Sequence, residues 1–200
     1  MAEIYFKSFT FKDAITSMYF DSSVFQFENN RQITLQDLSF TNNALSIESL
    51  CAFFTIKTVS ILEVRNLNFT SNYIDVTPKP LFLAEFKNIG QLIFKNHTIA
   101  NNVFGNTPLK FFSLIPYSGI SSLQSDLYLS FVDIMLSNNS YGKPATPEIN
   151  YFYCEEPILR SWEIENFTLS ENSISGRILN FITYSAGSLM TKKIPEPSTR

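Results

Sequence analysis

Apolar and polar residues alternate along this chain in blocks, and one eleven-residue block recurs six times, at residues 4–14, 33–43, 62–72, 92–102, 129–139 and 162–172. Five of the blocks end on Asn43, Asn72, Asn102, Asn139 and Asn172, and the first ends on Ala14 as a degenerate member. The anchors are 29, 29, 30, 37 and 33 residues apart. Four columns, lying ten, eight, five and three residues before each anchor, carry the apolar side chains. The first column is Ile4, Ile33, Leu62, Leu92, Leu129 and Trp162; the second is Phe6, Leu35, Val64, Phe94, Phe131 and Ile164. The third is Phe9, Leu38, Leu67, His97, Ile134 and Phe167; the fourth is Phe11, Phe40, Phe69, Ile99, Leu136 and Leu169. Of these 24 positions 23 are apolar, against 5 of the 24 between them, which is the period-two mark of a strand with one buried face.

The alternation slips by one residue at Ser8, Asp37, Asn66, Asn96, Asp133 and Asn166. Asx and Ser side chains bond their own backbone and tolerate left-handed conformations, so each slip reads as a bend. Every block is then strand, Asx bend, strand, Asn bend. A third apolar stretch follows most anchors, as at 50–56, 81–86, 109–114 and 178–182. All 9 Pro and 6 Gly lie outside the blocks, as strands require. Three strands, two bends and one variable loop make a coil, so the pattern predicts an all-β parallel β-helix (a solenoid) of about six coils, three strands per coil. The domain is expected over 1–188, with a polar tail at 189–200. A lone coil satisfies none of its backbone, so each needs neighbours at about 4.8 Å. Stacked anchors then offer an internal amide ladder, a residue that tolerates a left-handed bend, or both together.

Composition agrees with this: 20 Phe, 18 Asn and 24 Ser suit pleated surfaces and turns. A net charge of −3 with 15 scattered basic residues leaves no electrostatic footprint for nucleic acid. Met1-Ala2-Glu3-Ile4 lacks the basic start of a signal peptide, and no apolar run is long enough to span a bilayer, so no membrane contact by this segment is expected. The first block starts at Ile4 with no polar cap before it, so further coils of a parent chain, or another subunit, are expected at the ends.

Phe40-Thr41-Asn42-Asn43 and Phe69-Thr70-Ser71-Asn72 resemble the FxxN repeat of polymorphic outer-membrane-type and other right-handed β-helix proteins. Ser175-Gly176-Arg177-Ile178 is similar to the companion GGAI element in weakened form. The broader resemblance, to pectin-lyase-like β-helices, covers roughly 4–185, and the Phe- and Asn-rich style resembles long β-helix proteins of AT-rich protist genomes. It implies a right-handed helix in an extracellular or surface passenger, serving as a rigid spacer or adhesive surface for a protein or glycan partner.

Enzymes of that class need clustered acids, either around calcium beside a base or as close pairs. The outward positions of the first strand are Tyr5 and Lys7, Thr34 and Gln36, Glu63 and Arg65, Ile93 and Lys95, Ser130 and Val132, Glu163 and Glu165. No two consecutive rungs offer carboxylates there, and only Glu163 and Glu165 share one. No catalytic residue, cofactor or metal site is expected, and the chain reads as a non-catalytic structural or adhesive segment. The alternative is a carbohydrate-active lyase or hydrolase with acids on its loops.

His97 stands in an inward column and reads as a buried, hydrogen-bonded imidazole. Cys51 and Cys154 fall about three rungs apart, too far for a disulfide. Asn68, Asn96, Asn138 and Asn166 begin N-x-S/T sequons, about as many as chance pairing of 18 Asn with 39 Ser and Thr gives. Asn68 points outward and is the candidate glycosylation site. Ligand-binding surfaces are expected on long loops at 73–80, 116–126 and 141–150, with Tyr117 and Tyr141 as aromatic contacts.

Overall fold

A computed structural model describes residues 2–18, 23–47, 52–76, 82–105, 109–115, 127–141, 148–154, 159–174 and 178–184. The first coil holds β1 (Glu3–Lys7), β2 (Thr10–Lys12) and β3 (Ile15–Met18), and the second β4 (Phe25–Thr41) and β5 (Ala44–Ile47). The third holds β6 (Ala52–Thr70) and β7 (Tyr73–Val76), and the fourth β8 (Phe82–Ala100) and β9 (Val103–Phe104). The fifth holds β10 (Leu109–Ile115), β11 (Leu127–Ser137) and β12 (Ser140–Tyr141). The sixth holds β13 (Glu148–Cys154), β14 (Leu159–Ser170) and β15 (Ser173–Ile174), and β16 (Ile178–Tyr184) pairs with β13. Every pairing is parallel, so the chain is an all-β solenoid.

The register follows the sequence columns. Ile4 pairs with Ile33, Ile33 with Leu62, Leu62 with Leu92, Leu92 with Leu129 and Leu129 with Trp162. Phe11, Phe40, Phe69, Ile99, Leu136 and Leu169 run up the stack in the same way. Strands of 17 and 19 residues are possible because each turns sharply without leaving the sheet. The turns are left-handed residues at Ser8, Asp37, Asn66, Asn96, Asp133 and Asn166, with φ between 51° and 60°. Asn and Asp reach this region at low cost because their short polar side chains bond locally.

A second row of left-handed residues, Asn29, Thr58 and Asn88, lies four residues before its block and joins the third apolar stretch to it. The alternation gave no hint of this row, since Thr58 is not an Asx residue. The structure also adds a short strand directly after each anchor. These form a six-stranded sheet, β15-β12-β9-β7-β5-β3, beside the ten-stranded one. The exclusion of glycine from strands does not hold at Gly90, inside β8, where the Ser60 carbonyl oxygen of the preceding coil would lie 2.8 Å from an added Cβ. Glycine is needed there for close backbone approach.

The core is one continuous column of Phe, Leu, Ile and Val. Phe94 and Phe131 stack at 5.1 Å with planes 4° apart, and Phe86 and Phe112 at 6.0 Å. Such pairs add about 0.5–1.5 kcal/mol each beyond the area they bury. In the end coils Ile4, Phe6, Phe9, Phe11, Phe167 and Leu169 are only half-buried. Ile164, read as inward, is exposed, because among the described residues β14 has a strand on one side alone. No described helix is long and apolar enough to cross a membrane. Residues 185–200, including the polar tail, lie outside the described residues.

Candidate functional site

The most organised polar feature lies inside the coil stack. The residue before each anchor, among them Asn42, Ser71, Asn101 and Asn138, is left-handed, and the anchor itself is not. The anchors are therefore not tolerated bends; they are buried acceptors and donors. Asn43 Nδ2 donates to Asn72 Oδ1 at 2.9 Å, Asn72 to Asn102 at 3.0 Å, and Asn102 to Asn139 and Asn139 to Asn172 at 2.9 Å. The left-handed residue before the anchor gives its own N–H to a backbone carbonyl of the next coil, as Asn42 N does to Thr70 O, but the N–H of the anchor goes to a side chain. The next coil supplies this acceptor too: Asn43 N, Asn72 N, Asn102 N and Asn139 N each donate to the Oδ1 above. Ala14 N does the same to Asn43 Oδ1 at 3.0 Å.

The second Nδ2 hydrogen reaches one coil down, to the carbonyls of Phe11, Phe40, Phe69, Ile99 and Leu136. Asn72, Asn102 and Asn139 thus each use both hydrogens and accept twice, and each satisfies two backbone groups that burial would otherwise orphan. An outer file of Asx side chains repeats the theme in solvent. Asn66 donates to Asp37, Asn96 to Asn66 and Asn166 to Asp133, at 2.7–2.9 Å. Asp133 has no amide hydrogen to give Asn96, so the outer file breaks where the inner one runs on.

His97 sits in the core at 1% exposure. Its Nε2 lies 3.0 Å from the Val64 carbonyl oxygen, an acceptor only, so Nε2 carries the proton. Nδ1 therefore accepts from the Tyr151 hydroxyl at 2.8 Å. Burial lowers the imidazole to about 4 against a smaller opposing effect of the Val64 bond, and burial raises the Tyr151 phenol well above its usual value. The pair ties the third, fourth and sixth coils together.

The outward columns hold a correction. Thr34, Glu63 and Ser130 lie on the outward phase yet are buried. Glu63 accepts from Arg65 at 2.6 Å and Glu85 from Lys87 at 2.9 Å, both i,i+2 pairs along one strand face. Glu28 accepts from Lys57 in the next coil at 2.7 Å, and this bond lowers the Glu28 carboxyl below its usual value. Thr34 Oγ1, in register with Glu63, is buried without a hydrogen-bond partner. Opposite charges two residues apart at 63 and 65, and at 85 and 87, are the mark of these pairs in the sequence.

Glu163 and Glu165 are exposed, but Glu163 is not idle surface. It accepts from the Tyr128 hydroxyl at 2.7 Å, which raises Tyr128 above its ordinary value, and from Ser130 Oγ at 3.4 Å. Among the described residues no three His, Cys, Asp or Glu side chains are placed to share a metal ion. The expected loops are partly strand: Tyr73–Val76 is β7, Tyr141 ends β12, and residues 148–150 open β13, because each finds a partner strand on a neighbouring coil. Tyr117, Cys51, the 116–126 segment and residues 175–177 lie outside the described residues. Cys154 is in register with Leu114 and Tyr184.

No family model, no curated protein and no solved structure matches this chain. The parallel solenoid with its amide ladder is thus read from the chain's own strands and hydrogen bonds.

Proposed function

We propose that this chain is a non-catalytic structural or adhesive solenoid segment of a larger surface or secreted protein, of the pectin-lyase-like, FxxN-repeat kind that its sequence resembles. The observation that carries this reading is how its polar groups are used. The one imidazole is bonded within the core, the anchor amides bond to one another, and Glu28, Glu63 and Glu85 each face a Lys or Arg partner. Catalysis asks for groups aimed at a reacting atom; here they are aimed at other groups of the stack, within one strand for Glu63 and Glu85 and across coils for Glu28, His97 and the anchors. A continuous ladder through five anchors makes a stiff spacer, and the outer faces are free to meet a protein or glycan.

One feature favours the competing reading of a carbohydrate-active enzyme. Glu63 is buried on the outer side with Arg65 beside it and the unpartnered Thr34 hydroxyl in register. Incubation with pectins and other acidic polysaccharides, with and without calcium, separates the two. The solenoid reading expects no chain shortening, and turnover above the blank that disappears in Glu63→Gln would replace it.

A further inference from the structure

We infer that Asn68 is an N-glycosylation site, and that among the four sequon asparagines it is the one the folded coil leaves available. The inference rests on the surface or secreted reading for its cellular setting. Its structural basis is independent of that reading.

The four sequons divide sharply by backbone and bonding. Asn96, Asn138 and Asn166 occupy left-handed corners at φ 56°, 50° and 51°. Each donates its Nδ2 across the stack, to Asn66, Asn101 and Asp133 respectively, at 2.7–2.9 Å. The fold accounts for asparagine at all three, because a left-handed turn and an amide donor are both required there. Asn68 differs in each respect. It lies within β6 in register with Ser39 and Thr98, has no left-handed backbone, and is exposed. Among the described residues its Nδ2 has no hydrogen-bond partner.

Asparagine is depleted in strands, and the other members of this column are Thr10, Ser39, Thr98, Met135 and Thr168. The fold alone thus gives no reason for an amide at 68. The adjacent side chains up and down the sheet, Ser39 and Thr98, are short and leave room for a substituent on Nδ2.

The transfer uses a lipid-pyrophosphate-linked oligosaccharide as donor. The Asn68 Nδ2 attacks the anomeric carbon, forming a C–N bond as the C–O bond to pyrophosphate breaks. The lipid pyrophosphate leaves with the electron pair, and the amide proton passes to a base of the transferase. A glycan at 68 would stand on the outer face of the ten-stranded sheet and cover it with a hydrated chain. Glycans at 96, 138 or 166 would crowd the corner contacts and remove an amide hydrogen from the outer files.

The test is to produce the full chain behind a cleavable leader in a eukaryotic secretory host. The folded fraction is isolated, glycans are released by an amidase in isotopic water, and the labelled Asp is located by peptide mass spectrometry. The expected result is label at 68, several-fold above that at 96, 138 and 166, lost in N68Q with an unchanged far-UV spectrum. Bare Asn68 in folded, exported chain, or occupancy of the corner sites equal to that of 68, overturns the inference and leaves the surface reading standing. Occupied Asn68 on a folded chain that the cell retains supports the site and counts against the surface reading.

Discussion

Replacing Asn102 by Ala tests whether the amide ladder holds the coils together. Asn102 is 1% exposed and makes four side-chain hydrogen bonds. It accepts from Asn72 N at 2.9 Å and Asn72 Nδ2 at 3.0 Å, and donates to the Phe69 carbonyl at 2.8 Å and to Asn139 Oδ1 at 2.9 Å. Truncation costs the two amides one contact each, but Asn72 still reaches Phe40 O and Asn139 Oδ1 still receives Asn102 N. The backbone loses more: the Asn72 N–H and the Phe69 carbonyl lose these buried partners. At about 1–3 kcal/mol for each buried group left unsatisfied, the variant should lose about 2–6 kcal/mol. That is a large part of the roughly 5–15 kcal/mol that holds a domain.

The internal control is Asn172→Ala. Asn172 makes the equivalent bonds to Asn139 and Leu136, but it is half-buried, so water can replace what is lost. Its cost should be about 1 kcal/mol or less. Urea unfolding followed by far-UV circular dichroism, read as a shift in midpoint at constant slope, gives both numbers. Asn102→Asp sharpens the test: it keeps an acceptor, loses both donors, and should be at least as damaging as Ala at neutral pH. If Asn102→Ala and Asn172→Ala agree within about 0.5 kcal/mol, the ladder is decoration and the coils are held by the apolar columns alone.

Because His97 is depressed to about 4 in the folded chain, only the unfolded chain takes up its proton between pH 6.5 and about 4. Its contribution is complete above pH 6.5 and is lost as pH falls toward about 4, at up to about 1.4 kcal/mol per pH unit. His97→Phe should flatten that part of the urea-midpoint profile while lowering stability at pH 7, where the bonds from His97 to the Tyr151 hydroxyl and the Val64 carbonyl are lost; an unchanged slope would refute the assignment. Gly90→Ala should cost about 1–3 kcal/mol by forcing apart coils that meet at the Ser60 carbonyl, seen as a lower melting temperature. Arg65→Met should cost about 1–2 kcal/mol, since it strands a Glu63 side chain that is 8% exposed, whereas Lys57→Met should leave the urea midpoint nearly unchanged, since Glu28 is 41% exposed. Equal effects of these two in urea titrations would contradict the burial argument.

The columns were legible because a parallel stack puts one sequence position over its equivalent, so Phe40 over Phe69 and Asn43 over Asn72 appear as a repeat in the sequence itself. The first bend was legible for the same reason, since five of its six residues are Asn or Asp and the remaining one is Ser. The bend at 29, 58 and 88 was not, because Asn29, Thr58 and Asn88 share a conformation without sharing a residue type. Strands β9, β12 and β15 have two residues each, too short for alternation to declare itself. The left-handed residue beside each anchor was hidden by the anchor: Asn42 and Asn43, or Asn138 and Asn139, are alike by letter and opposite in role. The burial of Glu63 depends on what surrounds the outer face, which no one-dimensional pattern records.

Asn72 meets Asn102 across 30 residues of chain, and Asn102 meets Asn139 across 37, yet the two amide bonds are 3.0 and 2.9 Å. The interior does not register how much polypeptide is looped out between one rung and the next. Lengthening an excursion therefore costs only the slow, logarithmic entropy of a larger loop, about 0.6 kcal/mol for a doubling. Such a molecule separates inheritance of its frame from change at its rim: whole segments can be swapped, grown or trimmed outside the stack while the stiff axis stays as it was.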